Sequence, residues 1–119
     1  MATSFKNYIG GQWQDAADNA TFVDTNPARS ADVIGRFPLS GERDVDAAVR
    51  AAQEAFVTWR RMPAPQRGDY LKRIGDLLTE RKDAIAFEMT REMGKTFTET
   101  KGDVQEAIDT AYYAASETR

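Results

Sequence analysis

Asp44-Val45-Asp46-Ala47-Ala48-Val49-Arg50-Ala51-Ala52-Gln53-Glu54-Ala55-Phe56-Val57-Thr58-Trp59 is the stretch on which the fold turns. Its apolar residues fall at Val45, Ala48, Val49, Ala52, Ala55, Phe56 and Trp59, a spacing near 3.6 that lines them along one side of a helix. Ser40 and Gly41 are the candidate caps. Glu42 and Asp44 stand in the first turn, where the helix dipole favours negative charge. This stripe is rich in alanine and poor in lysine, so it suits a protein core better than a lipid surface.

Before this helix the pattern is that of short strands. Tyr8-Ile9 and Gln12-Trp13 flank Gly10-Gly11, a hairpin signal because glycine accepts the positive φ of a primed turn. Thr21-Phe22-Val23 is a second β-rich run, ended by Asn26-Pro27. Val33-Ile34-Gly35-Arg36-Phe37 is a third, closed by Pro38. Beyond the helix, Met62-Pro63-Ala64-Pro65 breaks the chain, and Pro65 suits the first turn of a second helix carrying Tyr70, Leu71, Ile74, Leu77 and Leu78. Ile85, Met89 and Met93 continue a stripe after a bend near Arg81-Lys82-Asp83. Gly94 is the expected stop. A last helix, from about Thr98, carries Val104, Ala107, Ile108, Ala111, Tyr112 and Ala115. Tyr112 to Arg119 keep a helical rhythm with no cap, glycine or proline, which predicts a chain that continues. The fold class is therefore α/β: an N-terminal β-hairpin and short strands, then three to four amphipathic helices. So few strands cannot cover so many apolar helix faces, and part of that surface is expected to pack on something beyond this segment.

Composition narrows the chemistry. The 119 residues carry 41% apolar and 29% charged side chains and a net charge of −3, a globular balance with no basic stripe for nucleic acid. No cysteine and no histidine are present, which removes thiolate and imidazole ligands, nucleophiles and bases from this segment. The N-terminus has no secretory apolar run, and nothing approaches the roughly 18 apolar residues of a membrane span, so a cytoplasmic protein is expected. The 19 acidic residues fall mostly at helical positions read as exposed, among them Glu42, Asp44, Glu54, Glu80 and Glu117, and none pairs at a catalytic spacing. Gly94-Lys95-Thr96 has the ending of a phosphate loop, but Met89 stands where its first glycine belongs and the approach is helical. Helix termination is the better account.

Several segments, in order, resemble the N-terminal part of the aldehyde dehydrogenase superfamily. Tyr8-Ile9-Gly10-Gly11-Gln12-Trp13 is similar to its opening hairpin, and Asn26-Pro27-Ala28 to its "NPA" turn. Asp44 to Ala52, with Ala55, Phe56 and Trp59, resembles its first helix. Arg67, Leu71 and Ile74 to Leu78 are similar to the second. Arg91-Glu92-Met93-Gly94-Lys95 resembles its "E-x-GK" helix end and Tyr112-Tyr113-Ala114 its "YYA" element. The likeness runs from about residue 6 to residue 119. Thr90 to Thr96 and Gly102 to Glu106 look most like bacterial semialdehyde dehydrogenases.

The resemblance implies an incomplete part of a Rossmann-like fold, with residues 1–119 as the N-terminal part of the NAD(P)-binding domain and the catalytic and oligomerisation domains absent. It implies a parent enzyme that oxidises a small-molecule aldehyde or semialdehyde through a cysteine thiohemiacetal, passes hydride to NAD or NADP, and works as a homo-oligomer without nucleic acid or membrane. The cysteine, its oxyanion donors and the cofactor-binding residues all lie beyond residue 119 in that pattern, so the segment alone is expected to be inactive. Three positions within reach match a monovalent cation site of some members: Asp24, Thr25 and Glu92. Hard oxygen donors suit such an ion; a local partner at a helix end would equally explain Glu92. Val104, Gln105 and Ile108 match the mouth of the substrate tunnel, with core packing as the other reading of Val104 and Ile108. A stand-alone helical interaction module with the same fold is the alternative, its exposed stripes serving as a partner surface.

Overall fold

The structure is a computed structural model in which residues 3–118 are described. It divides between Arg60 and Arg61 into two compact units.

The first unit holds the strands and the first helix. Strands β1 (Asn7–Ile9) and β2 (Gln12–Gln14) form an antiparallel hairpin with Tyr8 opposite Trp13. Gly10 and Gly11 sit at φ 58° and 81°. Positive φ at both central positions defines the type I′ turn whose twist matches a two-residue hairpin. The Tyr8 and Trp13 rings lie 4.8 Å apart. Strands β3 (Thr21–Thr25) and β4 (Val33–Pro38) make a second antiparallel pair, with a register shift between Asp24 and Thr25. Their connection is built by Asn26. Its side-chain oxygen accepts from the Ala28 N–H at 2.9 Å, and its backbone N–H donates to the Asp32 carbonyl at 3.0 Å. That is the mechanism behind the Asn-Pro turn signal. Ser4 adds a parallel bridge to Arg36, and Phe5 and Phe22 stack on Phe37 with centroids 4.6 and 5.8 Å away.

Helix α1 (Glu42–Trp59) begins at Gly41, one of the two expected caps. Its orientation departs from the reading of its stripe. Ala47 and Ala51 are half-buried, and Ala51 lies 3.8 Å from where a side chain on Gly10 would start. Val45, Val49 and Phe56 stay 58%, 49% and 57% exposed. The small alanine face sits against the hairpin, while most of the large apolar face is uncovered within this unit. A second correction concerns Asp44. It is buried, 9% exposed, rather than solvated. One carboxylate oxygen accepts from the Ala17 N–H at 2.8 Å and the other from the Gly41 N–H at 2.9 Å. A carboxylate three residues into a helix reaches back to the first orphan donor; here it also ties the loop after β2 to the helix start.

The second unit is a bundle of α2 (Ala64–Glu80), α3 (Lys82–Met93) and α4 (Phe97–Ser116). Pro65 lies in the first turn of α2, where its missing N–H costs nothing. The expected bend is a full break of one residue: Arg81, at φ −107° and ψ 9°, ends α2 and starts α3. Gly94 closes α3 at φ 72°, so it terminates a helix, as expected. Helices α2 and α4 approach closely where α2 has no side chain. A Cβ on Gly75 would lie 2.8 Å from the Tyr112 ring, and one on Gly68 would lie 2.9 Å from the Ala115 carbonyl oxygen. The helical rhythm read through Tyr112 to Arg119 ends sooner than expected. Helix α4 stops at Ser116, and the Thr118 hydroxyl donates to the Ala115 carbonyl at 2.7 Å; Arg119 lies outside the described residues. No helix among the described residues is long and apolar enough to cross a membrane.

Candidate functional site

Helices α3 and α4 bring together most of the residues singled out in the sequence. Ala86 of α3 is fully buried against Val104 and Ile108 of α4, which are 2% and 3% exposed. Leu78, Ile85 and Met89 pack around them. The structure thus places Val104 and Ile108 in the core of this unit. A buried polar pair joins the same two helices. The Thr90 and Thr100 hydroxyls lie 2.8 Å apart, Thr100 is completely buried, and its Oγ1 also reaches the Phe97 carbonyl at 3.1 Å. Satisfied in this way, the hydroxyls fix the axial register of α3 against α4.

Gln105 follows Val104 and is only half-buried. Its side chain is held at both ends. Lys82 Nζ donates to its Oε1 at 2.6 Å, and its Nε2 donates to Asp109 Oδ1 at 2.9 Å. Next to it, Lys101 pairs with Asp83 at 2.8 Å. Lys82 did not stand out in the sequence as a functional residue. Its link to Gln105 spans 23 positions and depends on the antiparallel register of two helices.

Glu92 is exposed near the end of α3. It lines an open groove of about 470 Å³ along that helix with Arg81, Ile85, Glu88, Met89 and Met93. Asp24 and Thr25 belong to the other unit, at the register shift of β3, and are half-buried. Among the described residues no three acidic side chains gather into a group that could hold a metal ion.

Carboxylates occupy the starts of α1 and α4. The Thr96 hydroxyl donates to Glu99 Oε2 at 2.8 Å, and Glu99 Oε2 accepts from the Thr96 N–H at 3.0 Å, a capping box at the start of α4. Hydrogen bonds from the Thr96 hydroxyl and then its backbone hold the Glu99 carboxyl below its usual range. Asp103 accepts from Lys95 at 2.8 Å and raises the affinity of that ammonium for its proton. Asp76 is lowered by the Tyr112 hydroxyl, 2.9 Å away, and then by Lys72. Lys95 and Thr96, two members of the imperfect phosphate-loop match, are therefore engaged by carboxylates. The start of α1 is filled by Asp44. The starts of α1 and α4 thus carry negative side chains that repel a phosphate.

Residues 13–119 match the family model described as "Aldehyde dehydrogenase family". The chain is 46% identical over 110 residues to the malonate-semialdehyde dehydrogenase of Bacillus pumilus, covering 92% of this chain and 22% of that protein. It is 40% identical over 116 residues to the alpha-ketoglutarate semialdehyde dehydrogenase of Haloferax volcanii, covering 98% and 24%. Among solved structures it superposes on the NAD-dependent aldehyde dehydrogenase from Sinorhizobium meliloti with a TM-score of 0.92 and 28% identity, over 98% of this chain and 24% of that one. The chain thus spans roughly a quarter of the length of these relatives.

Proposed function

The chain belongs to the aldehyde dehydrogenase family, and on that premise we propose that it forms the N-terminal part of the NAD(P)-binding domain of an enzyme that oxidises an aldehyde to its carboxylic acid. The match of residues 13–119 to the family model carries the reading. The substrate class favoured is a semialdehyde, because both relatives named above act by their names on such compounds.

In such an enzyme a cysteine adds to the aldehyde carbonyl and aimed hydrogen-bond donors stabilise the oxyanion. A bound nicotinamide cofactor would take up the hydride, and water would then release the acid and regenerate the cysteine thiol. This chain has no cysteine, and by its resemblance to the family the nucleophile and the cofactor contacts are assigned to sequence beyond residue 119. What this segment supplies is scaffold and edges. Gln105 is assigned to the mouth of the substrate tunnel. Val104 and Ile108, packed in the core, set the position of the helix that carries it. Glu92 is assigned as an oxygen donor to a monovalent cation, and so, separately, are Asp24 and Thr25. Their oxygen chemistry suits a hard ion, and Glu92 opens onto a groove rather than into the core. A homo-oligomer in the cytoplasm completes the reading.

The stand-alone interaction module has no observation of its own. Its evidence would be the exposed face of α1, and the remainder of a dehydrogenase covering that face accounts for it equally. Sequencing the reading frame beyond the codon for Arg119 tests the choice. An in-frame continuation carrying a cysteine-bearing domain is expected; a stop codon there overturns the proposal. The isolated chain is expected to produce no NADH or NADPH with any aldehyde, and turnover above background would contradict the assignment of nucleophile and cofactor site elsewhere.

A further inference from the structure

We propose that Lys82 is a positioning residue for Gln105, and that it adapts the tunnel mouth to aldehydes bearing a carboxylate at their far end. The inference rests on the reading that Gln105 faces the substrate.

The chemistry of the neighbours fixes the amide. An ammonium can only donate, so the Gln105 atom 2.6 Å from Lys82 Nζ is the oxygen. A carboxylate can only accept, so the atom 2.9 Å from Asp109 is the nitrogen. The two contacts exclude the flipped amide, which would set donor against donor and acceptor against acceptor. One N–H of Gln105 is left over, and an ammonium on the carbonyl end polarises it as a donor.

Charge matters as much as orientation. Asp109 alone on this amide would repel an anionic tail. Lys82, tied to the other end of the same group, offsets that charge. Lys101 and Asp83 beside them already cancel each other at 2.8 Å. With Lys82 present, the site offers an oriented donor in a locally balanced field, which a carboxylate tail can use. Without it, the amide is free to turn and Asp109 is uncompensated. An alkyl tail would notice neither change.

The test joins this chain to the remainder of the Bacillus pumilus enzyme, in place of its matching segment, and compares succinate semialdehyde with butanal as the internal reference. Lys82→Met is expected to lower the ratio of the two kcat/KM values about tenfold, the worth of one oriented polar contact. The fall should come through KM for the semialdehyde, and Lys82→Arg, which keeps the donor and the charge, should restore most of it. If Lys82→Met leaves the ratio unchanged while Gln105→Ala alters it, the inference fails and the tunnel reading stands. If Gln105→Ala alters nothing, the tunnel reading itself fails. A parallel fall for both aldehydes with a lowered melting temperature would make Lys82 a merely structural residue and overturn the proposal.

Discussion

Alanine in place of Gly75 should destabilise the helical unit, although helix propensity alone predicts the opposite. In a helix interior, alanine is favoured over glycine by about 0.8–1.0 kcal/mol. That gain is expected at Gly102 of α4, where a new Cβ would meet nothing within 4 Å. At Gly75 the new Cβ would lie 2.8, 3.0 and 3.1 Å from three atoms of the Tyr112 ring. Comfortable carbon contacts begin near 3.5 Å, so the ring or the helix must give by more than half an ångström. Swinging the ring away would also break the hydrogen bond its hydroxyl donates to Asp76 at 2.9 Å. Overpacking of this kind costs about 1–3 kcal/mol, which outweighs the propensity gain and leaves a net loss of about 1 kcal/mol. Urea unfolding followed by circular dichroism at 222 nm checks it. The midpoints should rank Gly102→Ala above wild type and Gly75→Ala below it, an ordering that needs no two-state assumption. If Gly75→Ala stabilised the chain as much as Gly102→Ala, the close approach of α2 to α4 through that glycine would be refuted.

Three further outcomes are expected. Thr100→Val should cost about 1–2 kcal/mol by stranding the Thr90 hydroxyl; adding Thr90→Val should cost less than a second independent loss, as a double-mutant cycle by urea unfolding would show. Glu99 has a lowered folded-state pKa, so its contribution is present above the unfolded-state value and is lost as pH falls through the folded one. Acid should therefore fray the start of α4, seen as faster amide exchange there, and Thr96→Ala, which keeps the backbone donor but loses the hydroxyl, should weaken that pH dependence. Asp44→Ala should destabilise the strand unit by about 1–3 kcal/mol, because the Ala17 and Gly41 N–H groups lose their acceptor; amide exchange at those two positions reads it directly.

The elements whose rules are local were legible in the sequence. Gly10-Gly11 needs no partner to specify a type I′ turn, Gly94 none to end a helix, and Pro65 none to start one. What depended on neighbours was harder. The α1 stripe reads as core by its period, yet period reports only that a face is apolar, not that this chain contains its cover. Asp44 read as a solvated helix residue because its two N–H donors come from Gly41 and from the distant Ala17. The pairing of β3 with β4 was not legible either, since each run was short and the register shift at Asp24 and Thr25 breaks the alternation. At the candidate site, resemblance pointed to Gln105, but Lys82 emerged only once α3 lay against α4.

Turnover in the joined polypeptide tests the central claim most directly. This chain would replace the matching segment of the Bacillus pumilus malonate-semialdehyde dehydrogenase, to which it is 46% identical, and absorbance at 340 nm would be followed on adding a semialdehyde and NAD. The account predicts steady NADH formation that stops when this segment is deleted. A folded, oligomerically intact fusion with no NADH formation would contradict it.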